Sequence, residues 1–110
     1  MRKSTDSGIR VNLSGRIALV VGGTGSIGEE ISIGLLESGA RVVVAGRARK
    51  TASPRLSALI RKGGALSYLR MDASAEGSVK RAAKAFFGEH GRLDILVLAQ
   101  GRQKRKPFLE

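Results

Sequence analysis

No cysteine occurs in the chain, so neither a disulfide nor a thiolate-ligated metal can contribute to its stability or chemistry. The only histidine, His90, cannot furnish a histidine ligand set, nor serve in a catalytic triad and as a separate base at once. No metal is expected. Tryptophan is absent and aromatic residues make up 4% of the sequence, so the core must be aliphatic, built from Val, Ile, Leu and Ala. Acids are scarce too: 9 Asp and Glu stand against 20 Lys and Arg, a formal net charge of +11. That excess favours polyanionic partners such as phosphorylated cofactors, nucleic acid or anionic surfaces, without choosing among them. The charged N-terminal residues are not followed by a long apolar run before Gly15, so neither a secretory signal nor a membrane span is visible and a cytoplasmic protein is expected. What is present is a 42% hydrophobic chain of 110 residues, enough for one domain with a core of its own.

The chain is organised around residues 17–28. Five apolar residues, Ile17-Ala18-Leu19-Val20-Val21, are too few for a helix and rich in β-branched types. They run into Gly22-Gly23-Thr24-Gly25-Ser26-Ile27-Gly28, and a helical pattern follows. Strand, glycine turn, helix is the order that brings a backbone close to a pyrophosphate and aims the free N–H groups and positive dipole end of the helix at its charge. A dinucleotide is therefore the expected ligand. A Walker-type phosphate loop is excluded, because no Lys follows Gly28.

Residues 1–12 are mostly polar and read as a loose N-terminal tail; 13–110 read as the domain. The first helix is expected over 26–38, with Ile27, Ile31 and Leu35 at four-residue spacing, Glu29 and Glu30 in the first turn, and Gly39 as its stop. A second buried strand spans 41–45 and ends at Gly46-Arg47. Residues 49–53 read as a surface turn, and Pro54 opens a second helix with Leu56, Leu59 and Ile60 on one face. Gly63-Gly64 ends it. A third strand over 65–71 leads to Asp72, and a third helix over 76–89 aligns Val79, Ala82, Ala83, Phe86 and Phe87, with Gly88 and Gly91 closing it. Both phenylalanines fit core packing rather than ligand contact. The fourth strand spans 93–99. Strands alternating with helices predict an α/β fold, a Rossmann-like doubly wound parallel sheet of order 3-2-1-4, with ligand at the crevice between the first and fourth strands.

These residues resemble the N-terminal half of the short-chain dehydrogenase/reductase family, from Leu13-Ser14-Gly15-Arg16 through Leu93-Asp94-Ile95-Leu96-Val97 to the end of the chain. The resemblance implies reversible hydride transfer between NAD(H) or NADP(H) and a carbonyl or alcohol substrate, and a homo-oligomer for a full-length form. Gly22, Gly25 and Gly28 match the family pattern Thr-Gly-x-x-Gly-x-x-Gly, with Val21 where the Thr stands. The family's cofactor contacts then fall on Gly22, Gly23, Thr24, Gly25, Ser26, Ile27 and Gly28, on Asp72 and Ala73 at the adenine, and on Ala99 and Gly101 after the fourth strand. Where the family usually has Asn-Asn-Ala-Gly, this chain reads Leu98-Ala99-Gln100-Gly101, agreeing at Gly101. On its own chemistry, Asp72 can equally organise a turn before the third helix.

Cofactor preference is read at the end of the second strand. NAD-preferring dinucleotide folds place an acid there to bind the ribose hydroxyls. Here Gly46 stands instead, followed by Arg47, whose guanidinium can hold a 2′-phosphate, with Arg49 and Lys50 as helpers. NADP is the expected cofactor and NAD the less favoured one.

The family's catalysis uses Tyr-x-x-x-Lys and a Ser. The only tyrosine is Tyr68, followed four residues on by Asp72 and lying inside the third strand, so it reads as structural. No catalytic residue is assigned and the 110 residues alone are expected to be inactive. Stopping after the fourth strand would leave Ile95-Leu96-Val97-Leu98 with an uncovered apolar edge and an association-prone fragment. Two other readings remain: a non-catalytic dinucleotide-binding remnant, and a basic nucleic-acid-associated protein using 102–106. The second lacks aromatic residues interleaved with its charges.

Overall fold

In the computed structural model, residues 11–22, 25–48 and 53–99 are described. Three stretches of β-branched and aliphatic residues form parallel strands β1 (Ile17–Val21), β2 (Arg41–Gly46) and β3 (Leu66–Arg70), and β4 (Ile95–Leu98) completes the sheet. The order is β3-β2-β1-β4. Between them run α1 (Ser26–Glu37), α2 (Pro54–Arg61) and α3 (Glu76–His90). The reversal after β3 sends the third crossover to the other side of β1, so helices cover both faces. Val20, Ala40, Val42, Val44, Leu56 and Leu66 form the core beneath α1 and α2, whereas Val21, Ala45, Met71 and Ala82 form a second cluster beneath α3. Buried Val and Ala on both sides of β2 are what a central parallel strand requires.

Several sequence expectations shift once the elements pack. The strands β3 and β4 are shorter than 65–71 and 93–99, because only Leu66–Arg70 and Ile95–Leu98 find ladder partners. Gly88 lies within α3; the helix stops at Gly91, whose φ of 81° places it in the left-handed region that glycine adopts without penalty. On α3, Ala82 and Phe86 are buried, while Ala83 and Phe87 face outward and Val79 is borderline. His90 stacks on Phe86 with ring centroids 4.8 Å apart, a packing role. Ser53, expected in a surface turn, is instead the buried cap of α2: its Oγ accepts the Leu56 N–H at 3.1 Å. Leu96 and Leu98 are 54% and 71% exposed on the sheet face that also carries α3. Among the described residues no helix is long and apolar enough to cross a membrane.

The start of β1 is fastened to the start of β4 by one carboxylate. Asp94 accepts the Ile17 N–H at 2.8 Å through Oδ2, and Arg92 bonds both Asp94 and the Gly15 carbonyl. The Ile17 N–H, helped by Arg92, holds the Asp94 carboxyl below the ordinary aspartate value. A lowered folded-state value means the carboxylate stabilises the fold fully above its unfolded value and loses that effect as pH falls through the folded one. Unfolding followed by circular dichroism should therefore show stability dropping below about pH 4, with Asp94→Asn less stable at neutral pH and flatter across that acid window. An Asp94→Asn variant as acid-sensitive as the parent would remove Asp94 from this role.

Candidate cofactor site

The four parallel strands all end on the same side of the sheet, and their order reverses between β1 and β4. At the end of β1, Gly22 takes φ 82° and donates its N–H to the Ala45 carbonyl at 2.9 Å, tying the turn to β2. Any other residue would be strained there. α1 then begins at Ser26. Its N-cap, Gly25, is extended (φ −80°, ψ 172°) and offers no side-chain acceptor. First-turn N–H groups have no acceptor within their own helix, so the uncapped end leaves strong donors for an outside anion. Gly25, Ser26 and Ile27 are exposed around it.

Ile27 corrects the expected apolar stripe: it is 68% exposed. The inward positions are instead Gly28 and Ser32, both buried. Ser32 Oγ donates to the Gly28 carbonyl at 2.8 Å, satisfying a hydroxyl that would otherwise be stranded in the core. The smallness of Gly28 lets helix and strand approach closely.

The acids of α1 do not compete for its N-terminus. Glu29 accepts Ser53 Oγ at 2.7 Å and Arg55 Nη1 at 2.8 Å, and Glu30 accepts the same Nη1 at 2.9 Å. Two carboxylates around one guanidinium join α1 to α2 and leave the positive helix end without a local anion. Glu30 raises the already high Arg55 value further.

Arg47 follows β2 directly and is exposed. Its carbonyl accepts Arg70 Nε at 3.2 Å, and the Ala48 carbonyl accepts the Tyr68 hydroxyl at 2.8 Å. Tyr68 thus has the structural role expected of it, and burial pushes its phenol value up.

Asp72 does what the local alternative required. Its Oδ1 accepts both the Ser74 N–H at 3.0 Å and the Ser74 hydroxyl at 2.7 Å, and its own N–H donates to Ser78 Oγ at 2.9 Å. Ser74, then Arg47 and Arg70, lower the Asp72 value. Among the described residues Oδ2 has no hydrogen bond, so the turn role and an adenine contact are compatible. Ala73 is exposed on this turn. Beside it a cavity of about 420 Å³ is lined by Leu69, Arg70, Asp72, Ser78 and Arg81 among others. Ala99 donates its N–H to the Val21 carbonyl at 2.8 Å, which places the end of β4 beside the turn at Gly22. Gly23, Thr24, Arg49, Lys50, Gly101 and the basic stretch 102–106 lie outside the described residues.

These groups suit a dinucleotide by their chemistry: open amide donors at a helix start, guanidinium groups and no acid at the end of β2, and a carboxylate oxygen after β3. Sequence spacing did not reveal Ser32, the Glu29–Arg55 link or Arg70, since each acts through a contact that forms only on folding.

Comparison with known proteins gives the same frame. Residues 16–110 match the family model for short chain dehydrogenases. A 3-oxoacyl-(acyl-carrier-protein) reductase of rhamnolipid biosynthesis from Pseudomonas aeruginosa is 44% identical over 89 residues, 78% of this chain and 33% of the relative. The 3-oxoacyl-(acyl-carrier-protein) reductase FabG of Chlamydia pneumoniae is 34% identical over 87 residues, 79% of this chain and 35% of that one. The chain thus spans about a third of the length of these curated relatives. Among solved structures, the NADP complex of Pseudomonas aeruginosa RhlG superposes with a TM-score of 0.71 at 40% identity, covering 80% of this chain and 35% of that one. A Burkholderia cenocepacia gluconate 5-dehydrogenase in complex with NADP and tartrate gives a TM-score of 0.74 at 33% identity, covering 89% and 38%. With its sheet order, its glycine turn and these likenesses, the chain belongs to the short-chain dehydrogenase family.

Proposed function

We propose that residues 13–110 are the NADP-binding portion of a short-chain oxidoreductase and do not transfer hydride by themselves. The observation that carries this reading is the uncapped N-terminus of α1 at the sheet's reversal point, with Gly46 standing where an NAD-type acid would be and Arg47 next to it. The first-turn amides from Gly25 to Gly28, with Gly22, Gly23 and Thr24 before them, would hold the pyrophosphate. Arg47 would take the 2′-phosphate, Asp72 and Ala73 the adenine edge, and Ala99 and Gly101 the wall after β4. When bound, the nicotinamide supplies a hydride donor or acceptor for a carbonyl or alcohol. The sequence has no Tyr-x-x-x-Lys to move the accompanying proton, since Tyr68 is followed by Asp72 and is committed to Ala48. The likeness to proteins solved with NADP supports the cofactor class.

Fluorescence titration with NADPH and NADH tests it. The parent should prefer NADPH, and Arg47→Ala should weaken NADPH by about 10- to 150-fold, the equivalent of one charge-assisted contact of roughly 1.5–3 kcal/mol, with NADH unchanged. Equal affinity of the parent for both, or unchanged NADPH binding in Arg47→Ala, would overturn the assignment.

A further inference from the structure

We propose that β3 supplies the second half of the 2′-phosphate subsite: Arg70 as a second guanidinium contact, and Tyr68 as a positioning residue for the turn that carries Arg47. This deepens the NADP reading and rests on it.

An exposed arginine on a free turn is a weak anion site, because ordering its side chain and its backbone opposes the Coulombic gain. Here the backbone is already ordered. Tyr68 and Arg70 are two apart on the edge strand, hence on one face of it, and they donate to consecutive carbonyls, those of Ala48 and Arg47. The ladder explains the reach. Arg70 pairs in register with Gly46 and Tyr68 with Val44, so the residue beside Arg70 has no side chain to block a guanidinium crossing towards the turn.

The same pairing explains why Arg70 is available. An acid at position 46 would sit next to Arg70 and neutralise it; glycine does not. Only Nε of Arg70 is used within the described residues, and its two terminal nitrogens make no hydrogen bond or ion pair there. The carboxylate nearest in sequence, Asp72, is occupied at Oδ1 by Ser74; Arg47 and Arg70 both act on its charge, but among the described residues it forms no salt bridge with either. Arg47, on the turn after β2, and Arg70, on β3, bring two positive charges to this end of the sheet that the single Asp72 carboxylate does not fully offset, which favours a further anion. A phosphate monoester dianion suits that position, since it accepts from several donors at once.

The probe is 2′,5′-ADP against 5′-ADP, which isolates the 2′-phosphate, read by calorimetry on the full chain with thermal unfolding measured without ligand. Arg70→Gln should weaken 2′,5′-ADP by about tenfold or more, as for loss of one charge-assisted bond. It should leave 5′-ADP within about twofold and the melting temperature nearly unchanged, because the side chain is exposed. Arg70→Lys should recover part of the loss, keeping charge without the planar fork. Tyr68→Phe should weaken 2′,5′-ADP about threefold to tenfold, as for a neutral hydrogen bond, again sparing 5′-ADP. If Arg47→Ala loses 2′,5′-ADP while Arg70→Gln binds it as the parent does, the role of Arg70 is refuted and the NADP reading stands. If Tyr68→Phe weakens both nucleotides alike, Tyr68 has only a structural role. If Arg47→Ala also binds 2′,5′-ADP unchanged, the NADP reading itself fails.

Discussion

A carboxylate introduced at Gly25 should abolish dinucleotide binding while leaving the protein as stable as before or slightly more so. Gly25 is the N-cap of α1, its φ of −80° is open to any residue, and a Cβ built there meets nothing within 4 Å. Gly25→Asp therefore adds an acceptor that satisfies first-turn amides and favours the helix dipole, worth a few tenths to about 1 kcal/mol. Those amides are the ones the proposed pyrophosphate needs. Displacing even one charge-assisted bond costs roughly 1.5–3 kcal/mol, and a carboxylate about 4 Å from a phosphate adds about 1–4 kcal/mol of repulsion. The expected loss is at least about a hundredfold for NADPH and NADH alike. This differs from Arg47→Ala, which should discriminate between the two. The opposite signs of stability and binding are the diagnostic. If Gly25 merely completes a structural turn, Gly25→Asp will bind both cofactors as the parent does, and titration beside a thermal melt decides the matter.

That experiment is conceivable from sequence because the glycine turn is a local feature. Five β-branched and aliphatic residues, a glycine series and a helical repeat follow one another within 17–28, and β1 occupies the expected Ile17–Val21. The strand order 3-2-1-4 was legible for a related reason. Parallel neighbours require crossovers, and the handedness of those crossovers leaves few arrangements for four strands.

What escaped the sequence depends on contacts between distant residues. Ser53 reads as one more polar residue before Pro54, and only the approach of α2 to α1 makes it a buried cap bonded to Glu29, 24 positions away. Glu29 and Glu30 read as dipole acids until Arg55 takes both. Arg70 is one of 20 basic residues, distinguished solely by its register with Gly46 and its bond to the Arg47 carbonyl. Ile27 failed differently. Its spacing with Ile31 and Leu35 identifies a helix but sets the buried face one residue off, since Gly28 and Ser32 turn inward and Ile27 is left exposed.

The largest loss of stability should come from α2, the shortest of the three described helices. Its eight residues make it marginal in isolation, so it depends on its apolar face, with Leu56 fully buried among Val20, Val42, Val44 and Leu66 and Leu59 and Ile60 partly buried against the same cluster. Leu56→Ala should cost about 2–5 kcal/mol, the transfer term plus the cavity left between a helix and a strand that cannot fully close it. Against a total of roughly 5–15 kcal/mol for a domain of this size, that is a substantial fraction. Phe87→Ala removes a larger side chain from α3 but one that is 47% exposed, and should cost well under half as much. Urea unfolding of the two variants gives the ranking directly. A Phe87→Ala variant weaker than Leu56→Ala would mean that the α3 face, not the α1–α2 face, carries the stability. Because α2 also brings Ser53 and Arg55 to Glu29, Leu56→Ala should lower cofactor affinity in the folded fraction as well, whereas Phe87→Ala should not.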